Sequence, residues 1–574
     1  MAVHDLPHGL PAGLGRGNAE AVTPPAAGEP AFIPDLLHPV PITRFDFEQT
    51  KLSVSLAFVS GVSGGLFSDA LDRTIAAPST WEPASFASDL FLQSFVALCF
   101  KVRIGAEEPV IATTHLARLL ARPPSDPAIV HHRRAILAEL TSSPELRREL
   151  ERLYVLLCQL RTLLEGATGV GKWDMNRRQL DILHLVKRLM DSMAEGFAGA
   201  QSGLLRLSAF GVRVQQGEPY KSLSDLLRYD ENLATVNLKV GVGADGRIRG
   251  FEVLSIAESR ENPFVTSPVR RLLAQLELFV RGFHFGNREV MARLIDAVWS
   301  GLENEVVRFV QLLGDAEFYL GALGFRDQAR AAGLAVCLPD LVPPEKPREL
   351  VGLFNPLLLS VGPKVVPCDL RLDRHDATAL VTGPNSGGKT RLLQALGLAQ
   401  LLAQSGLFIP ARSGCLALST GLVVSLIQET KADQAEGRLG MELMRIRDLF
   451  ERLPPGAMVI LDELCSGTNP SEGEDIFELV VGMLTRLSPQ AFITTHFLAF
   501  AARLEREKKI PALRFLQVEL GVDHEPTYQF VPGVAHTSLA GHAAARLGVT
   551  REQLSALIDR NIALARTGLP RRPG

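Results

Sequence analysis

Apolar residues recur at helical spacing through much of the N-terminal half of the chain. The run from Pro144 to Leu164 carries leucines at 146, 150, 153, 156, 157, 160 and 164, and its other face is rich in Arg and Glu. One apolar stripe along a long helix is typical of bundles and lever arms. The pattern predicts a helical core or lever region over residues 31–338. Residues 1–30, rich in Pro, Gly and Ala, are predicted to be a disordered tail.

The spacing changes to that of strands near residue 234. Apolar residues at 236, 238, 240 and 242 alternate with Asn, Lys and Gly, and a Gly-Ala-Asp-Gly turn signal follows. This predicts a β-hairpin over residues 234–257, between helical regions. Three basic residues on it are candidates for contacts with nucleic-acid phosphates: Lys239, Arg247 and Arg249. An ordinary solvated strand face is the competing interpretation.

Prolines at 339, 343, 344 and 347 predict a linker over residues 339–348 without regular structure. After it, short apolar strands alternate with helices, which is typical of an α/β domain with a mainly parallel sheet. The predicted fold class is therefore α + α/β. The helical region with its hairpin is followed by an α/β domain over 349–545 and a helical C-terminal segment over 546–574.

Composition narrows the class of protein. The 574 residues are 46% hydrophobic and 21% charged, which indicates a folded chain of several domains. The formal net charge is −3, so contacts with nucleic acid depend on local basic patches. The six cysteines form no C-x-x-C pair, and we expect neither a zinc site nor disulfides. The N-terminus has no basic start followed by an apolar run, so we expect a cytoplasmic protein without a membrane anchor.

A phosphate-binding loop stands between a predicted strand and a predicted helix. The strand is Thr378 to Val381, and the helix runs from about Arg391 to Gln404. The loop residues between them are Gly383, Pro384, Asn385, Ser386, Gly387, Gly388, Lys389 and Thr390. Glycines allow backbone N–H groups to turn towards phosphates, and the helix N-terminus adds positive potential. Lys389 is predicted to bind the β- and γ-phosphates of ATP, and Thr390 to bind Mg²⁺.

Two adjacent acids complete the predicted nucleotide site. Asp462 ends the buried run Met458 to Leu461, and Glu463 follows it directly. A carboxylate at the end of an apolar strand is suited to hold Mg²⁺, and the adjacent one to orient or deprotonate an attacking water. His496 ends another apolar strand. A lone histidine is usually structural, but its place after the loop and the acids makes it a candidate catalytic residue.

These motifs resemble the ATPase domain of the MutS family. Thr382 to Thr390 is similar to the MutS phosphate loop, Asp462 to Gly473 to its Asp-Glu segment, and Thr494 to Phe497 to its histidine switch. The resemblance implies an ABC-type ATPase domain in which the histidine contacts the γ-phosphate or its water. It also implies that Val366 lies in the segment flanking the adenine.

The resemblance further implies a site shared between two subunits. The family places a short stretch opposite the partner's γ-phosphate, and the matching stretch here contains Gly437 and Arg438 but lacks the family's hydroxyl residues. We therefore expect a homodimer whose rate of ATP hydrolysis the sequence leaves open. About 350 residues precede the ATPase domain, and we expect a short form without the N-terminal mismatch-recognition domain or the Smr domain.

The function expected from these motifs is ATP-dependent DNA binding related to mismatch repair. ATP hydrolysis in the dimer would open and close a clamp on mismatched or branched duplex DNA. Two alternatives stay open at this point. One is an ATPase associated with the ribosome or RNA, and the other is a weakly hydrolysing scaffold gated by nucleotide.

Overall fold

The structure is a computed structural model. It describes residues 32–61, 64–166, 175–230, 234–242, 248–258, 287–360, 365–426, 438–464, 470–487, 489–521, 525–536 and 548–567. The predicted disordered tail over 1–30 lies outside the described residues.

The first part of the chain is helical. Its helices are α1 (Phe47–Ser60), α2 (Leu66–Asp72), α3 (Leu92–Cys99), α4 (Thr113–Ala121), α5 (Pro127–Ser142), α6 (Pro144–Glu165), α7 (Met175–Gly196), α8 (Leu205–Gln216), α9 (Glu218–Asp230) and α10 (Asn287–Ala331). Helix α6 begins where Ser143 caps it by accepting a hydrogen bond from Leu146 N, with proline at the first helical position. The leucines of its predicted apolar stripe are buried, against α5, α7 and α10.

The predicted hairpin is confirmed. Strands β1 (Ala234–Val242) and β2 (Ile248–Glu258) pair antiparallel. Helix α10 is 45 residues long and packs against α1, α6, α7 and α9, so it forms the core of the helical region. Among the described helices, none combines the length and the apolar composition needed to cross a bilayer.

The second part of the chain is the predicted α/β domain. Its strands are β3 (Asp340–Leu341), β4 (Arg348–Leu353), β5 (Cys368–Leu372), β6 (Thr378–Thr382), β7 (Ser413–Leu416), β8 (Leu422–Ser425), β9 (Met458–Leu461), β10 (Gln490–Thr494), β11 (Leu513–Leu520) and β12 (Pro526–Pro532). Its helices are α11 (Lys389–Gln404), α12 (Arg438–Arg452), α13 (Pro470–Leu484), α14 (Leu498–Glu507) and α15 (Arg551–Thr567).

Two sheets organise this domain. The larger has strand order β12-β11-β6-β10-β9-β8 and is parallel except for the edge strand β12. The smaller has order β3-β7-β4-β5 and is mainly antiparallel. The α + α/β fold class is thus confirmed. One local expectation is wrong, because the proline-rich segment contains β3, whose two residues pair with β7 and are not themselves proline.

Helix α11 joins the two parts of the molecule. Almost all of its side chains are buried, as expected for a helix that is apolar on every face. Two of its buried glutamines donate to backbone carbonyls: Gln400 to Ala417 O (2.8 Å), and Gln404 to Pro124 O in the helical region (3.1 Å). Since α11 begins at Lys389, this packing fixes the start of the helix and the loop before it.

Candidate nucleotide site

The glycine-rich loop lies at the carboxyl end of the central strand β6. Gly383 has φ 138° and Gly388 has φ 83°, values that side chains rarely allow. A Cβ on Gly383 would lie 2.6 Å from the side chain of Val518 on β11. Asn385 and Ser386 form the exposed tip of the loop. The glycines are therefore required both by the backbone conformation and by the close approach of β11.

Lys389 is buried at the base of this loop, with 3% of its surface exposed. Its Nζ donates hydrogen bonds to Gly383 O (2.9 Å) and Pro384 O (3.1 Å). Burial lowers the pKa of Lys389, and the charges of Glu463 and Asp462 oppose that shift. The loop carbonyls accept two of the three ammonium hydrogens without neutralising the charge of Lys389, so the site favours an anion.

Asp462 follows β9 and has both carboxylate oxygens hydrogen-bonded. Thr390 Oγ1, in the first turn of α11, donates to Oδ2 (2.5 Å). Thr494 Oγ1, at the end of β10, donates to Oδ1 (2.5 Å). Strand β10 lies between β6 and β9, and the sheet therefore brings the loop, Asp462 and the end of β10 to one edge.

Glu463 and His496 are in direct contact. His496 Nε2 lies 2.7 Å from Glu463 Oε1, and each side chain is about one-third exposed (33% and 35%). Glu463 itself has φ 54°, an uncommon conformation for a residue with a side chain. A partly exposed carboxylate held by an imidazole is a suitable arrangement for a general base.

A cleft of about 240 Å³ lies beside the loop, and Val366 lines it. Tyr528 of β12 forms another part of its wall, and a Cβ on Gly388 would lie 3.1 Å from the Tyr528 ring. Gln529 Nε2 donates to Pro367 O (3.0 Å), which holds β12 against the segment that contains Val366. Sequence reasoning identified Val366 and missed Tyr528, because no motif marks the tyrosine and the pairing of β12 brings it to the loop.

Several predicted site residues lie outside this geometry. Gly437 is outside the described residues, and Arg438 begins α12 but its side chain is not described. Lys239 and Arg249 lie on β1 and β2, where only the backbone is described, and Arg247 lies outside the described residues. Their roles stay predictions.

The described residues fit a magnesium-bound triphosphate. The Thr390 hydroxyl and an Asp462 carboxylate oxygen lie 2.5 Å apart, and Mg²⁺ prefers such hard oxygen ligands. The buried Lys389 and the α11 N-terminus supply the positive potential that phosphates require. The fold and this loop have the geometry found in the class of phosphate-loop nucleotide-binding proteins.

The family model for MutS domain V matches residues 379–559. Endonuclease MutS2 of Thermus thermophilus is 34% identical over 239 residues, which are 41% of this chain and 31% of that protein. Endonuclease MutS2 of Gemmatimonas aurantiaca is 32% identical over 275 residues, 46% of this chain and 33% of that protein. Endonuclease MutS2 of Streptococcus thermophilus is 25% identical over 423 residues, 68% of this chain and 52% of that protein.

These matches show that residues 379–559 are similar to MutS domain V and that longer stretches of the chain are similar to Endonuclease MutS2 proteins. The aligned regions cover about a third of the first two relatives and about half of the third. The family match includes the phosphate loop, the two acids and His496.

Proposed function

We propose that this protein is an ATP-dependent DNA-binding protein that hydrolyses ATP in a site completed by a second copy of the chain. The observation that carries the proposal is the convergence of Lys389, Asp462 and the Glu463–His496 pair at one edge of the sheet. A structural role alone would not require a buried lysine, two adjacent acids and a glycine-rich loop to meet there.

Each residue has a defined part in the proposed hydrolysis. Loop amides and Lys389 hold the phosphates, while Thr390 and Asp462 hold Mg²⁺. Bound Mg²⁺ would supply charge neutralisation on the phosphate oxygens. Glu463 takes the proton of the attacking water, and His496 holds the Glu463 carboxylate in position. We assign the cleft between Val366 and Tyr528 to the adenine, because it opens directly beside the loop.

The homodimer is supported by an exposed helix. Helix α15 has four exposed apolar residues on one face: Leu554, Leu557, Ile558 and Ile562, each between 41% and 58% exposed. Such a stripe at helical spacing favours packing against another helix or domain. A second copy of the chain is the occupant we propose, since Gly437 and Arg438 are predicted to complete the partner's nucleotide site.

DNA is the proposed partner because the chain is similar to MutS domain V and to Endonuclease MutS2 proteins. The hairpin formed by β1 and β2 carries Lys239, Arg247 and Arg249, which we propose contact DNA phosphates. The names of the three relatives state endonuclease activity, but the family match covers the nucleotide site. We therefore extend ATP and DNA binding to this chain, and not cleavage.

Fluorescence anisotropy tests the choice of partner. Labelled homoduplex, mismatched duplex, branched DNA and structured RNA are titrated with the protein in ADP and in ATP, at two salt concentrations. We expect tighter binding to mismatched or branched DNA, with an affinity that changes with the nucleotide. Preference for structured RNA would support the ribosome- or RNA-associated alternative and reject DNA as the partner.

Phosphate release tests the enzyme activity. We expect measurable turnover in the wild type that depends on Mg²⁺. Dimerisation in ATP with a turnover no higher than that of Glu463→Gln would instead favour the scaffold alternative.

A further inference from the structure

Thr494 is a buried residue that contacts both acids of the nucleotide site. It ends β10 and has no exposed surface. Its hydroxyl donates to Asp462 Oδ1 (2.5 Å) and accepts a hydrogen bond from Glu463 N (2.8 Å). A threonine hydroxyl has one proton and two lone pairs, so a single atom joins the carboxylate of Asp462 to the backbone of Glu463.

The strand pairing explains why this hydroxyl is needed. The parallel pairing of β9 with β10 ends at Leu461 and Ile493. On the other side of β9, Asp462 N continues the sheet by donating to Ser425 O of β8 (2.9 Å). Among the described contacts, the Thr494 hydroxyl is what ties the Asp462–Glu463 pair to β10 beyond the end of the ladder.

The hydroxyl also gives the two carboxylate oxygens of Asp462 different surroundings. Thr494 holds Oδ1, and Thr390 Oγ1 lies against Oδ2. Because Thr390 is the hydroxyl ligand proposed for Mg²⁺, Oδ2 is the oxygen left facing the metal side of the site. Without Thr494 the carboxylate is held by Thr390 alone, and it rotates more readily about χ2, a broad torsion in aspartate.

Glu463 is held by the same strand end from two directions. Its N–H is bonded to Thr494, and its carboxylate contacts His496, two residues further along. A residue with a side chain at φ 54° carries backbone strain of order 1–3 kcal/mol, which persists only when the surroundings impose it. The bond from Glu463 N to Thr494 is a contact that imposes it.

We propose that Thr494 is a positioning residue for ATP hydrolysis: its hydroxyl aligns Asp462 with the metal and Glu463 with the attacking water. The inference rests on the proposed function of the site. Thr494 lies behind the acids and has no part in holding the phosphates, so its loss affects the chemical step more than nucleotide binding. A misplacement of about 1 Å at a catalytic group costs roughly 100-fold in rate.

The test compares Thr494→Val, which keeps the shape and removes the hydroxyl, with Thr494→Ser, which restores the hydroxyl. Turnover, KM for ATP, the Mg²⁺ concentration for half-maximal rate, and affinity for a fluorescent ATP analogue are measured. We expect kcat of Thr494→Val to fall roughly 100-fold and its Mg²⁺ requirement to rise, with analogue affinity little changed. Thr494→Ser recovers most of the rate.

Thr378→Val is the matched control. Thr378 is another buried threonine of this sheet, on β6, and its hydroxyl has no hydrogen-bond partner among the described residues. We expect its kcat, KM and Mg²⁺ requirement to equal those of the wild type. A loss as large as that of Thr494→Val would mean that any buried Thr→Val change disturbs the site, and would overturn the inference.

Two further outcomes are distinguishable. If the wild type turns over ATP and Thr494→Val matches it in kcat and Mg²⁺ requirement, the positioning role is wrong while the ATPase assignment stands. If the wild type neither binds the analogue nor releases phosphate, the proposed function itself fails. Should Thr494→Val not fold, Thr494→Ala against Thr494→Ser decides, and equal kcat in those two variants would reject the role of the hydroxyl.

Discussion

The charge of Lys389 has opposite consequences for folding and for binding. The residue is 3% exposed and bonded to two loop carbonyls, and burial lowers its pKa. A lowered pKa in a lysine means that the folded apo protein disfavours the charged form. The charge is thus retained at a cost to stability, which is expected of a residue that serves a ligand.

Lys389→Met separates the two effects. The substitution keeps the apolar stem and removes the charge, so we expect the apo protein to be at least as stable as the wild type while binding of ATP is lost. Thermal unfolding and titration with a fluorescent ATP analogue measure the two quantities. Lys346→Met, at an exposed position, is the control and should leave both unchanged. Retained affinity in Lys389→Met would contradict the assignment of the phosphate site.

Glu463→Gln tests the general base. Glutamine keeps the size of the side chain and its contact with His496, but it cannot take a proton from water. We expect turnover to fall by roughly 10²- to 10⁴-fold and the protein to accumulate as an ATP-bound dimer. Size-exclusion chromatography with light scattering, in ATP and in ADP, measures the assembly. A variant that remains monomeric in ATP would contradict the proposal that ATP joins two subunits.

Some residues of this site could be predicted from the sequence, and others could not. Lys389, Asp462 and Glu463 were identified because each stands at a fixed place relative to a strand end, and the structure brings them together. Thr494 was quoted only as part of a motif. A hydroxyl residue at the end of the strand before His496 is nevertheless a signal that could have suggested a contact with the site. The sequence alone does not show which side chains lie next to that hydroxyl, because the pairing of β9 with β10 is set by tertiary packing.

At the scale of elements, a short segment of the helical region covers the edge of the large sheet. Trp81 Nε1 donates to Ser419 O (3.2 Å), and Ser85 Oγ donates to Leu422 O of β8 (2.7 Å). The Asp89 carboxylate accepts from Leu426 N (2.7 Å), just after β8 ends. Strand β8 is the edge strand next to β9, so this segment covers an open edge. It also connects the helical region to β8, whose Ser425 O accepts a hydrogen bond from Asp462 N (2.9 Å).

Trp81→Phe tests how much this attachment stabilises the fold. The variant loses the hydrogen bond to Ser419 O, and we expect the free energy of unfolding to fall by about 1 kcal/mol beyond the effect of the smaller ring. Trp299→Phe is the matched control, because Trp299 is also buried but its Nε1 has no hydrogen-bond partner in the part of the chain that the structure describes. Urea unfolding of the two variants gives the difference. Equal losses would show that the bond to Ser419 contributes nothing.

Helix α15 provides the test of assembly. Leu557→Glu places a charge in its apolar stripe, and Ala556→Glu places the same charge on the opposite side of the helix. If the stripe packs against a second copy, burying the carboxylate introduced by Leu557→Glu costs several kcal/mol and the dimer dissociates. Ala556→Glu should still dimerise. Light scattering over a range of protein concentrations measures both, and two dimeric variants would exclude the stripe as the interface.

Long periodic elements and the short apolar strands beside the site motifs were predictable, and β3 was not. The stripe of α6 and the alternation in β1 identified those elements, because each pattern extends over enough residues to define a period. Strand β3 has two residues and lies among prolines, so it has no period, and its pairing with β7 depends on residues about 75 positions away.

At the scale of the whole molecule, the helical region is built around buried ionisable groups. Arg44 pairs with Asp315 of α10, and burial raises the pKa of Asp315 to about 6. Glu317, two residues further along α10, accepts hydrogen bonds from Ala112 N (2.9 Å) and from the Tyr154 hydroxyl (3.2 Å). Burial raises the pKa of Glu317 to about 7, while burial lowers that of His115 to about 3. Stability must therefore depend on pH.

The effect of pH on stability has opposite signs for the buried carboxyl group of Glu317 and the buried imidazole of His115. Glu317 titrates near 4.5 when unfolded and near 7 when folded, so its contribution is complete below pH 4.5 and is lost as the pH rises through 7. His115 has the opposite sense, because its stabilising contribution is present above pH 6.5 and is lost as the pH falls towards 3. The two together place the greatest stability on the acid side of neutrality.

Glu317→Gln removes the part of the pH-dependent stability that comes from the titration of Glu317. Between pH 5 and pH 8 the wild type should lose stability relative to the variant, by on the order of 3 kcal/mol if the whole shift from 4.5 to about 7 acts on folding. Unfolding in urea at intervals across that range measures the difference. The guanidinium of Arg161, 3.9 Å from the carboxylate, favours ionisation and reduces the loss. Glu345→Gln, at an exposed position, should follow the wild type at every pH. If Glu317→Gln follows it as well, Glu317 ionises in the folded protein as readily as in water, and its burial among Tyr154 and Ala112 does not set the pH dependence of the fold.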